Sequence, residues 1–103
     1  MVEIEIGGRK WPLRATIGAW KRFEETTGKR VADMQENEND VTMFCTLAFH
    51  FVVAGCKANG TEFRMSLDDF LDSIELHQMQ DIANAIADVM GAKVQKKTLA
   101  QRK

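Results

Sequence analysis

Hydrophobic and polar residues change their spacing several times along this chain, and each change marks an element. Val2, Ile4 and Ile6 alternate with Glu3 and Glu5, the period of two that turns one face of a strand toward a core. Gly7-Gly8 follows, and two glycines supply the positive φ angles of a tight hairpin turn. Lys10 to Leu13 reads as the returning strand, with Trp11 and Leu13 on one face. Pro12, the sole proline, donates no ladder hydrogen bond, so it marks that strand as an edge. Two strands alone are marginal in water, so the hairpin is expected to rest on helices.

Helical spacing begins next. Thr16 is expected to cap a helix that ends at Gly28, with Ile17, Trp20 and Phe23 as its apolar stripe. Lys21 and Glu25 stand four apart on its wet side. Residues 29–40 turn polar and acidic, a loop marked by Glu36-Asn37-Glu38-Asn39, with Val31 and Met34 expected to pin its start to the core. Asn39 or Asp40 then opens a helix running to about Lys57 and stopping near Asn59-Gly60. It is apolar almost all round, which predicts the central element of the fold. Thr42, Thr46 and His50 draw one thin polar line along it, suited to solvent, a neighbouring helix or a partner protein.

Thr61 to Met65 reads as a short extended connection. Ser66, with Asp69 three residues on, opens a short helix whose buried side is Leu67, Phe70, Leu71 and Ile74. The last helix is expected over about Glu75 to Met90, with Leu76, Met79, Ile82, Ala83, Ile86, Val89 and Met90 at three- and four-residue steps and Gly91 as its stop. The pattern predicts an α+β fold, mainly α, in which an N-terminal β-hairpin packs on about four helices. Residues 1–91 form the single globular domain, and 92–103 a basic C-terminal arm, either disordered or weakly helical.

Composition sharpens that division. With 103 residues the chain holds one core, and 45% apolar and 28% charged residues suit an ordinary soluble domain. The net charge of −1 is unevenly spread. All fifteen acids lie between Glu3 and Asp88 beside nine of the fourteen basic residues, leaving that part at −6. The arm carries Lys93, Lys96, Lys97, Arg102 and Lys103 with no acid, a charge of +5. A body and tail of opposite sign is the one unusual feature of the composition, and the arm reads as solvated, as docked on an acidic protein surface, or as a nucleic-acid contact.

The start of the chain lacks the basic patch and apolar core of a signal peptide. The longest uncharged run, Val41 to Cys56, is shorter than the roughly twenty apolar residues of a membrane span, so a buried helix is the expectation and no membrane is called for. Cys45 and Cys56 sit at the two ends of that run, roughly 16 Å apart if it is helical, too far for a disulfide, as small core residues of a cytoplasmic protein.

Candidate chemistry is sparse. The two histidines are His50 and His77, and the spacing of five between Cys45 and His50 puts them on different helix faces, with no local cause for a reactive thiolate. His77, near Glu75 and Asp81, reads as a solvated surface residue. No metal-ligand spacing occurs, and Asp68, Asp69 and Asp72 suit the positive end of a helix. Gly7-Gly8 is too short for a phosphate loop. A non-enzymatic protein without cofactor or metal is the expectation. The methionines, Met34, Met43, Met65, Met79 and Met90 beside Met1, fill irregular cores or line surfaces that accept varied helices. The arm's cations could follow phosphates, yet no aromatic accompanies them to stack on a base, and the body is acidic.

Leu13, Thr16, Ala19, Phe23, Glu24, Thr27 and Gly28 set out a hairpin running into a Thr-led helix with a small residue, an aromatic–Glu pair and a Thr-Gly stop. In these residues, and in the order of elements after them, the chain resembles the siphovirus-type phage tail assembly chaperones. The resemblance covers most of the chain through short, degenerate motifs.

It implies a protein of the host cytoplasm, absent from the mature virion, that binds the helical tape-measure protein and helps the tail-tube protein assemble around it. Self-association stays open. Many such chaperones also exist in a longer form made by ribosomal slippage near the end of the short frame, where Lys96-Lys97 falls here. The expected partner-facing surface is the final helix and the arm, through Met79, Ile86, Met90, Lys93, Lys96 and Lys97. The alternative is a small adaptor or regulatory domain whose basic tail contacts nucleic acid.

Overall fold

The computed structural model describes residues 2–28, 30 and 41–91. Its elements follow the order of the sequence pattern: β1 (Glu3–Ile6), β2 (Arg9–Pro12), α1 (Ile17–Thr27), α2 (Val41–Asn59), α3 (Leu67–Asp72), a 3-10 turn at Leu76–Gln78, and α4 (Met79–Val89). The fold is α+β and mainly α, a two-stranded antiparallel hairpin followed by four α-helices.

Local chemistry sets most boundaries. Gly7 and Gly8 take φ angles of 62° and 78°, which lets the turn close without a Cβ clash and pairs Ile6 with Arg9 and Ile4 with Trp11. The Thr16 hydroxyl accepts from the Ala19 amide at 3.0 Å and opens α1. Gly28, at φ 70°, closes it with a bond from its amide to the Glu24 carbonyl. At α3 the Ser66 hydroxyl does the same for the Asp69 amide at 3.1 Å. Lys21 and Glu25 form the expected pair at 3.9 Å, both in water.

The core is α2 and what leans on it. Eleven of its nineteen residues are buried, and it touches α1, β2, α3 and α4. By length and composition it could cross a bilayer, but its apolar surface is spent inside the fold. Phe23 of α1, Phe51 and Leu47 of α2, Phe70 of α3, and Ile6 and Leu13 of the hairpin segment are at most 2% exposed. An aromatic group ties the hairpin to the middle of the chain. Trp11 meets Phe63 edge-on at 5.1 Å between centroids, and Phe49 meets Phe70 at 5.4 Å.

The hairpin rests on α2 through an unusually close approach. Pro12 has no amide to leave unpaired on its outer side, and its carbonyl lies against Gly55, where an ideal Cβ would be 2.3 Å from that oxygen. The Arg14 amide then donates to the Phe51 carbonyl at 3.0 Å. Pro12 does sit on a strand without a further neighbour, as expected, but that edge is covered by a helix and Pro12 is buried.

Ile17 and Leu76 depart from their expected faces. Ile17, placed on the apolar stripe of α1, is 85% exposed, because Ala19 and Phe23 turn inward and leave the first helical residue outside. Leu76 was expected on the last helix; it sits instead in the 3-10 turn before α4 and is 80% exposed. That turn starts the final helix late, at Met79, with Glu75 and Gln78 forming a reciprocal cap. Thr46 and His50, two of the three residues on the thin polar line of α2, are buried, whereas Thr42 faces water. No strand forms between Thr61 and Met65. The expected loop with Val31 and Met34, the Asn39 or Asp40 cap, and the arm all lie outside the described residues.

Candidate functional site

The surface anticipated from the final helix does not form as one face. Ile86 is 4% exposed and belongs to the core, so a partner cannot reach it without opening the fold. Its burial follows from the strongly one-sided α4, which lays Ile82, Ala85 and Ile86 on α2 and β1. Met79 is half-buried, with the Cys45 thiol directed at its sulfur at 3.5 Å. Met90 is 41% exposed at the end of the helix. Lys93, Lys96 and Lys97 lie outside the described residues. Of the other methionines, Met43 is buried and Met65 packs on the core from its edge.

Cys45 and His50 do not meet as a nucleophile and base. Cys45 points to Met79, and burial pushes its thiol up, toward the protonated form. Cys56 is also free and buried, with burial raising its thiol and Arg9 acting the other way. His50 lies edge-on to Phe49 at 5.2 Å, and its Nε2 has no hydrogen-bond partner among the described residues. Burial first, and the charge of Arg22 second, lower its pKa below the ordinary imidazole value. Both effects favour the neutral ring in the folded protein. Among the described residues no three His, Cys, Asp or Glu side chains gather as a metal would need.

What the fold does assemble is a groove of about 770 Å³ between the hairpin and the start of α4. Glu3 and Glu5 of β1 supply one wall; Glu75 and Asp81, on either side of the 3-10 turn, supply the other; Ile4 and Ile82 reach its floor. Lys10 is the single lysine or arginine in the lining, so four carboxylates stand against one fixed cation. His77, read from the sequence as a solvated surface residue, is exposed at the same groove.

Gln78 holds the two walls together. Its Oε1 accepts from the Glu75 amide at 2.9 Å, and its Nε2 donates to the Glu5 carbonyl at 2.7 Å. One side-chain amide thus ties the turn before α4 to the outer edge of β1. The alternating pattern marks Glu3 and Glu5 only as the wet face of a strand, and nothing local marks them, Glu75, Asp81 or Gln78 as a site. Seventy residues or more separate the two walls, so no local pattern could join them. The excess of acid in the body over the arm was the one signal present.

Comparisons of the chain with family models, with curated proteins and with solved structures find no match in any of the three.

Proposed function

We propose that this chain is a non-enzymatic assembly chaperone for a phage tail, acting in the host cytoplasm on the tape-measure protein and assisting the tail-tube protein. The observation that carries the reading is the order of elements. A glycine-turned hairpin runs into a Thr16-capped helix closed by Gly28; an apolar central helix, a short Ser66-capped helix and a one-sided final helix follow. That order accompanies the residues Leu13 to Gly28 on which the resemblance rests. A fold does not carry a function by itself, so the reading stands on the motif and the order together.

The physical task is modest. A long helical client with apolar stripes needs partners that cover them reversibly, and many weak contacts along one client add through avidity. Among the described residues, Ile17, Val41, Leu76 and Met90 are the large apolar side chains left in water. The test is co-expression with a candidate client, a phage tape-measure protein. A client that is insoluble alone, and that becomes soluble and co-purifies here, supports the reading. A client indifferent to this chain, together with firm retention of the chain on a polyanion at physiological salt, replaces it with the nucleic-acid adaptor.

A further inference from the structure

The groove between the hairpin and α4 carries more negative charge than the fold neutralises. Glu3, Glu5, Glu75 and Asp81 stand there against Lys10, and none of the four is in an ion pair among the described residues. The rim adds a second feature. Leu76, 80% exposed, projects between Glu75 and His77, which both line the groove. A large apolar side chain left in water beside unpaired charge of one sign suits a partner that brings the opposite charge and an apolar side chain together.

Gln78 fixes the walls and limits what can enter. Its amide is already bonded to the Glu5 carbonyl, so an added strand finds no continuous ladder to join. An occupant recognised through side chains fits better if its own backbone groups are already paired, as they are in a helix. The spacing of the carboxylates agrees. Glu3 and Glu5 lie on one face of β1, two strand residues apart, which is about 6.6 Å. Lysines four apart on a helix share one face and rise about 6 Å along its axis. We propose that the groove docks a basic amphipathic helix of a separate protein. Its lysines or arginines at i and i+4 meet Glu3 and Glu5, and an apolar residue of the same face meets Leu76. Asp81, on the facing wall, reinforces the selection for positive charge. What is recognised is a charge pattern and not a particular client, so the inference stands apart from the chaperone reading.

Binding of two fluorescein-labelled, alanine-rich helical peptides to the full-length protein tests it. Both peptides hold the same lysines and leucines. One sets the lysines four apart with a leucine on their face; the other sets them two apart, on opposite sides of the helix. At about 0.15 M salt the first should bind at least about tenfold more tightly than the second. Glu3→Lys with Asp81→Lys, at two exposed sites, should weaken that binding at least about tenfold. Leu76→Ser should weaken it at least about threefold, with circular dichroism unchanged. Glu3→Gln with Asp81→Asn, which adds no repulsion, should act in the same direction. Equal binding of the two peptides overturns the proposal, since the surface then draws cations by net charge alone. Binding untouched by the wall variants overturns it too and places the peptide elsewhere. Spermine that displaces the first peptide at equal concentration overturns the helix in favour of a small polyamine.

Discussion

Gly55 offers the sharpest test of how the hairpin is held. A Cβ at this position would stand 2.3 Å from the Pro12 carbonyl oxygen, 2.6 Å from its carbon and 3.1 Å from the Leu13 nitrogen. All three are backbone atoms, so no rotamer change relieves the contact. Restoring an ordinary separation moves the end of β2 away from α2 by about 1 Å. Overpacking of that kind costs about 1–3 kcal/mol. Lengthening the bond from the Arg14 amide to the Phe51 carbonyl, now 3.0 Å, removes a further ~0.5–1.5 kcal/mol. Against this, alanine is better than glycine inside a helix by about 1 kcal/mol. Gly55→Ala should therefore destabilise the protein by about 1–3 kcal/mol.

The control lies one helix earlier. At Gly18 a Cβ would meet the Arg22 guanidinium, the far end of a flexible side chain, at 3.4 Å. Gly18→Ala should keep its propensity gain and stabilise by about 0.5–1 kcal/mol. The two variants have the same chemistry and opposite expected signs. Urea unfolding followed by circular dichroism separates them, and for a domain of this size each kcal/mol moves Tm by roughly 4–8 °C. A Gly55→Ala protein at least as stable as wild type, beside a stabilised Gly18→Ala, would show that the hairpin does not rest on α2 at Gly55.

Two further outcomes follow from burial. Ile86→Ala should cost about 2–5 kcal/mol and Met90→Ala less than about 0.5 kcal/mol in the same unfolding measurement, since the first empties core volume and the second trims an exposed side chain. Near-equal losses would mean that α4 is rotated from the face described. The lowered pKa of His50 sets a sign with pH: above the ordinary value of 6.5 the ring is neutral in both states and stability is full. As pH falls from 6.5 through the folded-state pKa, the unfolded chain takes up the proton first and stability drops by at most about 1.4 kcal/mol per pH unit. Urea midpoints compared with those of His50→Phe across this range check it, and parallel pH profiles for the two proteins would exclude the effect.

Elements were legible because their signals are local. Gly7-Gly8 between alternating residues, Thr16 three residues before the amide it caps, Gly28 after the last helical turn, and Ser66 before Asp69 each act within four positions. An apolar helix at residues 41–59 likewise had to become the centre, since no other arrangement hides so much nonpolar surface. Faces were less legible. Periodicity shows which residues of a helix share a side, but its first residue can project past the neighbour that covers the rest, as Ile17 does. Leu76 falls outside the helix that its spacing suggests because a reciprocal cap between Glu75 and Gln78 delays the helix, and the Gln78 amide is also fixed by Glu5, far away in sequence.

The groove belongs wholly to that second kind. By itself the sequence determined a hairpin, the order of the helices, the caps at Thr16, Gly28 and Ser66, and a body opposite in charge to its tail, because each depends on neighbours along the chain or on a sum over residues. Only the tertiary structure brought Glu3 and Glu5 opposite Glu75 and Asp81, buried Ile86, and set the Pro12 carbonyl on the bare backbone of Gly55. Those contacts depend on how the hairpin is oriented over α2 and α4, and that orientation is a property of three elements packed together.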